Sequence, residues 1–351
     1  MVLTKALHFS RRPAALASLL LICIIVATGM TNNAALSDPR NMHIDVPLTP
    51  SLVVGTEACG KCHASELQVW KQTPHHETYL TLHRKPQAQE IAKKMGIASF
   101  KHDSACIKCH YSMQEQPAGL EPIAGVSCES CHGPAKNWID LHHDYGGPGI
   151  KREQETEEHR HGRLVSSISA GMRNPENVYL VAQSCYRCHT VPDEKLVNIG
   201  GHVAGSLNFE LVAWSQGTVR HNFVRSAGKS NAPSDQNRMR LMFLSGMIAD
   251  LEFSLRATAE ATTKDTYGVT SAGRAARAAK RLTAAQTKVQ QPVIDEVLAA
   301  FSSVSLKLNN RAELTEAADN IAEIGIRLTA TLDGSQLAEL DPFLPASNQW
   351  K

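Results

Sequence analysis

Apolar positions divide the chain into three stretches of different rhythm. Ala14 to Met30 is an almost unbroken apolar run. Residues 57–225 keep no steady period. Gly, Pro and short polar stretches interrupt them, as at Pro117, Gly146-Gly-Pro-Gly149 and Gly200-Gly201. That pattern predicts short helices and loops with little regular sheet. From Asp235 the period becomes helical. Leu241, Leu244, Ile248, Leu251 and Leu255 step by three and four residues and mark one helix face. An Ala-rich, basic helix is predicted from about Ser271 to Val289. Pro292 suits the first turn of a third helix carrying Ile294, Val297 and Leu298. Asn310-Arg-Ala-Glu313 has the form of a capping box ahead of the stripe Leu314, Ala317, Ile321, Ile324 and Leu328, and Gly334 offers a stop. Four amphipathic helices within residues 235–332 predict a small helical bundle.

The expected organisation follows from these changes of rhythm. Lys5, Arg11 and Arg12 precede the apolar run, and small residues follow it near Asn33-Ala-Ala35, so residues 1–35 read as an export signal. If retained, the run of 17 residues is near the lower limit for a membrane anchor. Cys23 lies within it and reads as a small apolar residue. Residues 36–56 form a leader, 57–225 a first domain, 226–234 a small-residue linker, 235–332 the helical bundle and 333–351 a tail. The bundle is expected to be a separate unit that docks the first domain to a second copy or to another protein. Arg274, Arg277, Lys280, Arg281 and Lys288 give its second helix a basic face suited to an acidic surface.

The chemistry lies in the middle stretch. Cys59-Gly-Lys-Cys62-His63, Cys106-Ile-Lys-Cys109-His110, Cys128-Glu-Ser-Cys131-His132 and Cys185-Tyr-Arg-Cys188-His189 are four copies of C-x-x-C-H. This is the attachment pattern of c-type haem: two thiols add to the vinyl groups and the following His supplies one axial nitrogen. A zinc knuckle or redox dithiol has no need of a His directly after the second Cys. Eight of the nine cysteines lie in these motifs, so no pool is left for structural disulfides. Four covalently bound haem c groups are therefore expected, and with aromatic residues at only 5%, much of the interior must come from the porphyrins. The motif starts lie 47, 22 and 57 residues apart, which excludes an evenly repeated solenoid. The expected fold is mainly α: a multihaem cytochrome c with little regular sheet, followed by the bundle.

A second His on the iron closes it and suits electron transfer, whereas an open iron binds small molecules. Twelve histidines remain beyond the four motifs, and sequence distance excludes few of them. His8 lies in the signal. His159 and His161, in the charged run Arg152 to Arg163, read as solvated loop.

The run Trp70-Lys-Gln-Thr73-Pro-His75 and the block Gly125-Val-Ser-Cys128-Glu-Ser-Cys131-His132-Gly-Pro134 resemble the tetrahaem cytochrome c-554 family of periplasmic electron carriers, over residues 56–225. The family usually has Ser where this chain has Thr73. The resemblance implies that His75 ligates the haem of His132, and that His142 or His143 ligates that of His63. It also implies that the second haem can be five-coordinate, with His110 as its only protein ligand. His202 and His221 are candidates for the fourth haem, the other being left for the second or for a surface role. His76 and His143 are expected to stay off iron as neighbours of better-placed ligands.

The expected function is electron transfer between a donor and an acceptor redox protein in the periplasm, in respiratory or nitrogen-compound metabolism. The alternative is a haem enzyme acting on a small nitrogen species at an open iron, with His102, Lys101 and Asp103 near the second motif as proton donors. The formal charge of +2 falls to −1 without residues 1–35, and nothing points to nucleic acid. A membrane role requires a retained N-terminal segment.

Overall fold

In the computed structural model, residues 48–351 are described, apart from Asp103 and the side chains of Ser104 and Ala330. The expectations for the export signal, for Cys23, His8 and His43, and for most of the leader lie outside the described residues. So does that for Asp103.

The fold is mainly helical, as expected. Short helices come first: α1 (Thr56–Gly60), α2 (Ala64–Trp70), α3 (Pro74–Thr81), α4 (Pro86–Met95) and α5 (Ser104–His110). An antiparallel hairpin follows, β1 (Ser112–Gln116) with β2 (Gly119–Ala124), paired from Ser112↔Ala124 to Gln116↔Gly119. Next come α6 (Cys128–His132), α7 (Glu157–Ser169), α8 (Val178–His189), α9 (Glu194–Asn198) and α10 (Leu211–Ser215). Four longer helices close the chain: α11 (Gln236–Ala259), α12 (Thr266–Val289), α13 (Pro292–Ser302) and α14 (Arg311–Thr331). Among the described residues, no helix is long and apolar enough to cross a membrane.

The four predicted C-terminal helices are present, with differences at their ends. Asp235 caps α11 by accepting the Arg238 N–H at 2.8 Å. Pro292 occupies the first turn of α13. Asn310 does not act as a capping acceptor. Its amide donates to Glu313 Oε2 at 2.8 Å and to the Ser305 carbonyl at 3.1 Å. Gly334, at φ +90°, stands beyond the end of α14 and starts the next turn instead of stopping the helix. The charged run expected as loop is partly helix α7. There Glu155 joins Arg163 at 2.6 Å and His159 at 2.8 Å, so those charges satisfy one another locally.

The largest departure concerns the expected seam near residues 226–234. The main hydrophobic core contains Ile168, Val178, Tyr179, Tyr186 and Phe209 together with Leu244, Ile248, Leu251, Leu314 and Ile321. Helix α11 is not half-exposed: from Leu241 to Ala259 nearly every residue is buried, which makes it the central helix. The face its Leu stripe leaves over is taken by α8, the helix of the fourth C-x-x-C-H motif. Gly246 of α11 and Gly325 of α14 make room for side chains of α10 and α8. A Cβ on Gly325 would sit 2.2 Å from the Tyr179 ring, and one on Gly246 would sit 2.8 Å from Leu211 Cβ. Polar groups bind the same contact. Tyr179 Oη donates to the buried Glu252 at 2.6 Å, Gln183 donates to it at 3.0 Å, and Asn177 donates to the Ile326 carbonyl at 2.9 Å. The C-terminal residues also fold back. Lys351 N–H donates to the Ala213 carbonyl and Thr218 N–H to that of Lys351.

Candidate haem-binding sites

Each C-x-x-C-H motif begins in or follows a helical turn, which sets its two cysteines and its His on one side of the backbone. In the first, Cys59 lies in α1 and the His63 N–H donates to the Cys59 carbonyl at 2.9 Å. The second and fourth motifs end α5 and α8, and the third is α6 itself.

Outside the motifs, the two sequence blocks of the resemblance pack on each other. Thr73 caps α3: its hydroxyl accepts the His76 N–H at 3.3 Å and donates to the Trp70 carbonyl at 2.7 Å. A hydroxyl is what the position uses, so Thr serves where Ser is usual. Trp70 Nε1 donates to the Val126 carbonyl at 2.8 Å, and Val126 N–H donates to the His75 carbonyl at 3.1 Å. Gly125 is required by this approach, since a Cβ there would lie 2.3 Å from the His75 oxygen. Glu129, only 1% exposed, closes the arrangement. Its carboxylate accepts the N–H groups of Val54, Gly55 and Ala135 at 3.0, 2.8 and 2.8 Å, tying the approach to the first motif onto the third.

Every motif His faces one other histidine. The ring centres of His63 and His142 are 6.3 Å apart, those of His110 and His202 6.5 Å, those of His132 and His221 6.1 Å, and those of His189 and His75 6.4 Å. Two metal–imidazole bonds of about 2 Å, plus roughly 1 Å from each nitrogen to its ring centre, give about 6 Å for rings on opposite sides of one iron. The four spacings all have that size.

The remaining ring nitrogens are pinned in most of these histidines. Nδ1 reaches the Ile139 carbonyl from His142 at 2.6 Å, that of Val219 from His221 at 2.6 Å and that of Val203 from His202 at 2.9 Å. His132 uses the Arg173 carbonyl at 3.3 Å, and His189 the Ser206 hydroxyl at 3.2 Å. A proton on Nδ1 leaves the Nε2 lone pair for a metal. Burial holds the imidazoles of His110, His132 and His189 down to about 4, so they are neutral near pH 7.

The His75 ring does not lie opposite His132, where the resemblance placed it. The contact of its segment with the third motif is made by its backbone, on Gly125 and Val126. Its ring turns towards His189 of the fourth motif, and the place opposite His132 is taken by His221. His202 faces His110, so the second motif has a partner histidine as the others do. His142, not His143, faces His63. The side chain of His143 is about half exposed and lies 4.0 Å from Asp140. His76 packs edge-on against Trp70, and His102 is exposed.

The motifs also adjoin one another. Cys59 neighbours Cys128 and Cys109 neighbours Cys188, each thiol shifting the titration of the other. Ser184, one residue before the fourth motif, donates to the Cys131 carbonyl at 2.8 Å. The first motif is thus beside the third, the second beside the fourth, and the third beside the fourth.

The surroundings fit a group with carboxylate arms. Trp138 Nε1 and Trp214 Nε1 are buried with no protein acceptor, on rings 5.3 Å from His142 and 5.5 Å from His189. The buried Tyr111 hydroxyl, next to His110, also has none. Haem propionates are acceptors of the kind these donors lack. Thiols in pairs, paired imidazoles and free donors beside them define a c-type cytochrome.

Comparison with known proteins agrees. Residues 58–133 match the family model described as cytochrome c554 and c-prime. Cytochrome c-554 of Nitrosomonas europaea is 29% identical over 143 residues, 38% of this chain and 59% of that protein. The chain thus spans about three fifths of the length of the curated relative it matches. No solved structure matches it. Both matches record a likeness to cytochrome c-554, and the family match takes in the first three motifs. The fourth motif and the C-terminal helices lie beyond the family match, which ends at residue 133.

Proposed function

We propose that this chain is a tetrahaem c-type cytochrome that relays single electrons between a donor and an acceptor redox protein, with two histidines on every iron. The pairs are His63 with His142, His110 with His202, His132 with His221 and His189 with His75. The observation that carries the reading is the common spacing of 6.1 to 6.5 Å across all four. Haem c, when bound, supplies a one-electron iron couple. The chain's own residues do the rest. The eight motif cysteines fix the cofactors covalently. The paired imidazoles would hold each iron from both sides and need not move when its charge changes. Carbonyl and hydroxyl acceptors at Nδ1 hold five of those rings in one orientation. No motif is isolated from its neighbours, so no site depends on solvent for its connection to the others.

A haem enzyme with an open second iron is not favoured, because His202 occupies the side of the site opposite His110. The family resemblance and the sequence of residues 1–35 support an exported, periplasmic protein in respiratory or nitrogen-compound electron transfer. The exposed Arg277, Lys280, Arg281 and Lys288 of α12 remain a surface on which an acidic partner can dock. Pyridine haemochrome assay of the purified protein, together with its mass, tests the count. Four haems per chain are expected, and three or fewer in fully loaded protein would refute the tetrahaem reading.

A further inference from the structure

Helix α12 sends one of its basic residues inward. Arg274 is 5% exposed, although the sequence places it with the other cations of a basic face. Its Nε donates to Asp250 of α11 at 2.6 Å, and its Nη1 donates to the His189 carbonyl at 3.0 Å. The same carbonyl accepts the Ser206 N–H at 2.8 Å. The loop after α9 is shaped around this contact. Gly205 has φ +83°, and a Cβ there would lie 2.9 Å from Arg274 Nη1 and 3.0 Å from the His189 oxygen. On the ring side, Phe209 stacks on His189 with centres 4.2 Å apart. Arg274 Nη2 is buried with no protein partner.

We propose that Arg274 is a positioning residue for the fourth haem site, through which the C-terminal helices hold His189 and set the reduction potential of its iron. The proposal rests on the tetrahaem reading above. Three features lead to it. A buried guanidinium is costly to desolvate and needs well-placed acceptors to persist. Of its contacts, one is the backbone of an iron-ligand residue rather than a surface group. Asp250 balances the charge through Nε, while Nη1 reaches the His189 carbonyl. A cation so placed favours the reduced iron, which carries one positive charge fewer. The planar fork cannot be reproduced by a lysine ammonium.

The test uses the full holoprotein with Arg274→Met and Arg274→Lys, each assayed for haem content, redox titration and electron paramagnetic resonance. In Arg274→Met, four haems should remain while one of the four midpoint potentials falls by at least a tenfold change in equilibrium constant, about 59 mV for one electron. Arg274→Lys should recover most of that potential but still displace the g values of one low-spin signal, because charge returns and the fork does not. If four haems are present and all potentials and g values are unmoved in both variants, the proposal is overturned. If Arg274→Met does not accumulate, Arg274→Lys decides: one displaced low-spin signal supports the role, and an unchanged spectrum refutes it. A wild-type protein with fewer than four haems would instead contradict the cytochrome reading itself.

Discussion

The two halves of the molecule are held together by different means. Between Val53 and Leu164 only nine apolar side chains are buried among the described residues, and several of those are alanines. This half is organised by directed contacts: Glu129 on three backbone N–H groups, Trp70 on a carbonyl, hydroxyl caps and paired histidines. From Leu241 to Leu340 the interior is a dense aliphatic core of Leu, Ile, Val and Ala. The first half resembles a frame built to receive cofactors, and the second a conventional helical core. Helix α8 belongs to both, since it carries a haem motif on one side and fills the bundle core with the other. The bundle reaches the fourth site through α8 and through Arg274 on the His189 carbonyl.

Removing the bundle breaks this comparison most severely. Truncation after Lys229 exposes the faces of Val178, Tyr179, Ala182 and Tyr186 that the bundle buries. We expect no soluble tetrahaem protein, measured as haem content of the soluble fraction. Recovery of a soluble, four-haem fragment with unchanged spectra would show that the halves are independent after all.

Next come two of the buried carboxylates, one from each half, Glu129 and Glu252. Glu252→Ala strands Tyr179, Gln183 and one face of Arg256, whose Nε lies 2.9 Å from Glu252. Breaking a buried charge pair from one side costs about 3–5 kcal/mol. Burial raises the Glu252 carboxyl above its usual range, so Glu252→Gln should cost less than Ala. Glu129→Ala leaves three N–H groups without their acceptor, at about 1–3 kcal/mol for each that water cannot reach. Thermal unfolding of the holoprotein measures both. The comparison sharpens if Glu129→Ala also disturbs the spectrum of the first or third haem while Glu252→Ala does not.

Gly325→Ala should act more gently. Its Cβ would meet the Tyr179 ring at 2.2 Å, and overpacking of this kind costs about 1–3 kcal/mol. Denaturant unfolding should show a lower midpoint with four haems retained. No change in midpoint would mean that α8 is not seated in the notch.

Much of the first half was legible because its chemistry is written locally. C-x-x-C-H names its cofactor within five residues, and each motif His is adjacent to its cysteines. The distal ligands were harder to read. His142 lies close after the third motif, and its contact with His63 was among the expected choices. His75, His202 and His221 reach their partners through packing over long distances, and nothing in their neighbouring residues encodes which ring they face. The Trp70 to His75 run did carry information, but about the backbone at Gly125 and Val126, not about the ring. In the second half the apolar stripes marked the helices correctly. What they left unread was the other side of α11, where Ser245, Gly246, Ala249 and Glu252 are buried as well. Gly246 and Gly325 were the available signal, since a glycine inside a strong helix asks for a close neighbour.

The central claim is that every iron has two histidine ligands, and an electron paramagnetic resonance spectrum of the oxidised holoprotein tests it most directly. Integrated against the haem content, it should show four low-spin ferric haems and no high-spin signal. His75→Ala should then convert one haem, that of His189, to high spin while leaving four attached. A stoichiometric high-spin component in the wild type, or an unchanged low-spin count in His75→Ala, would contradict the account.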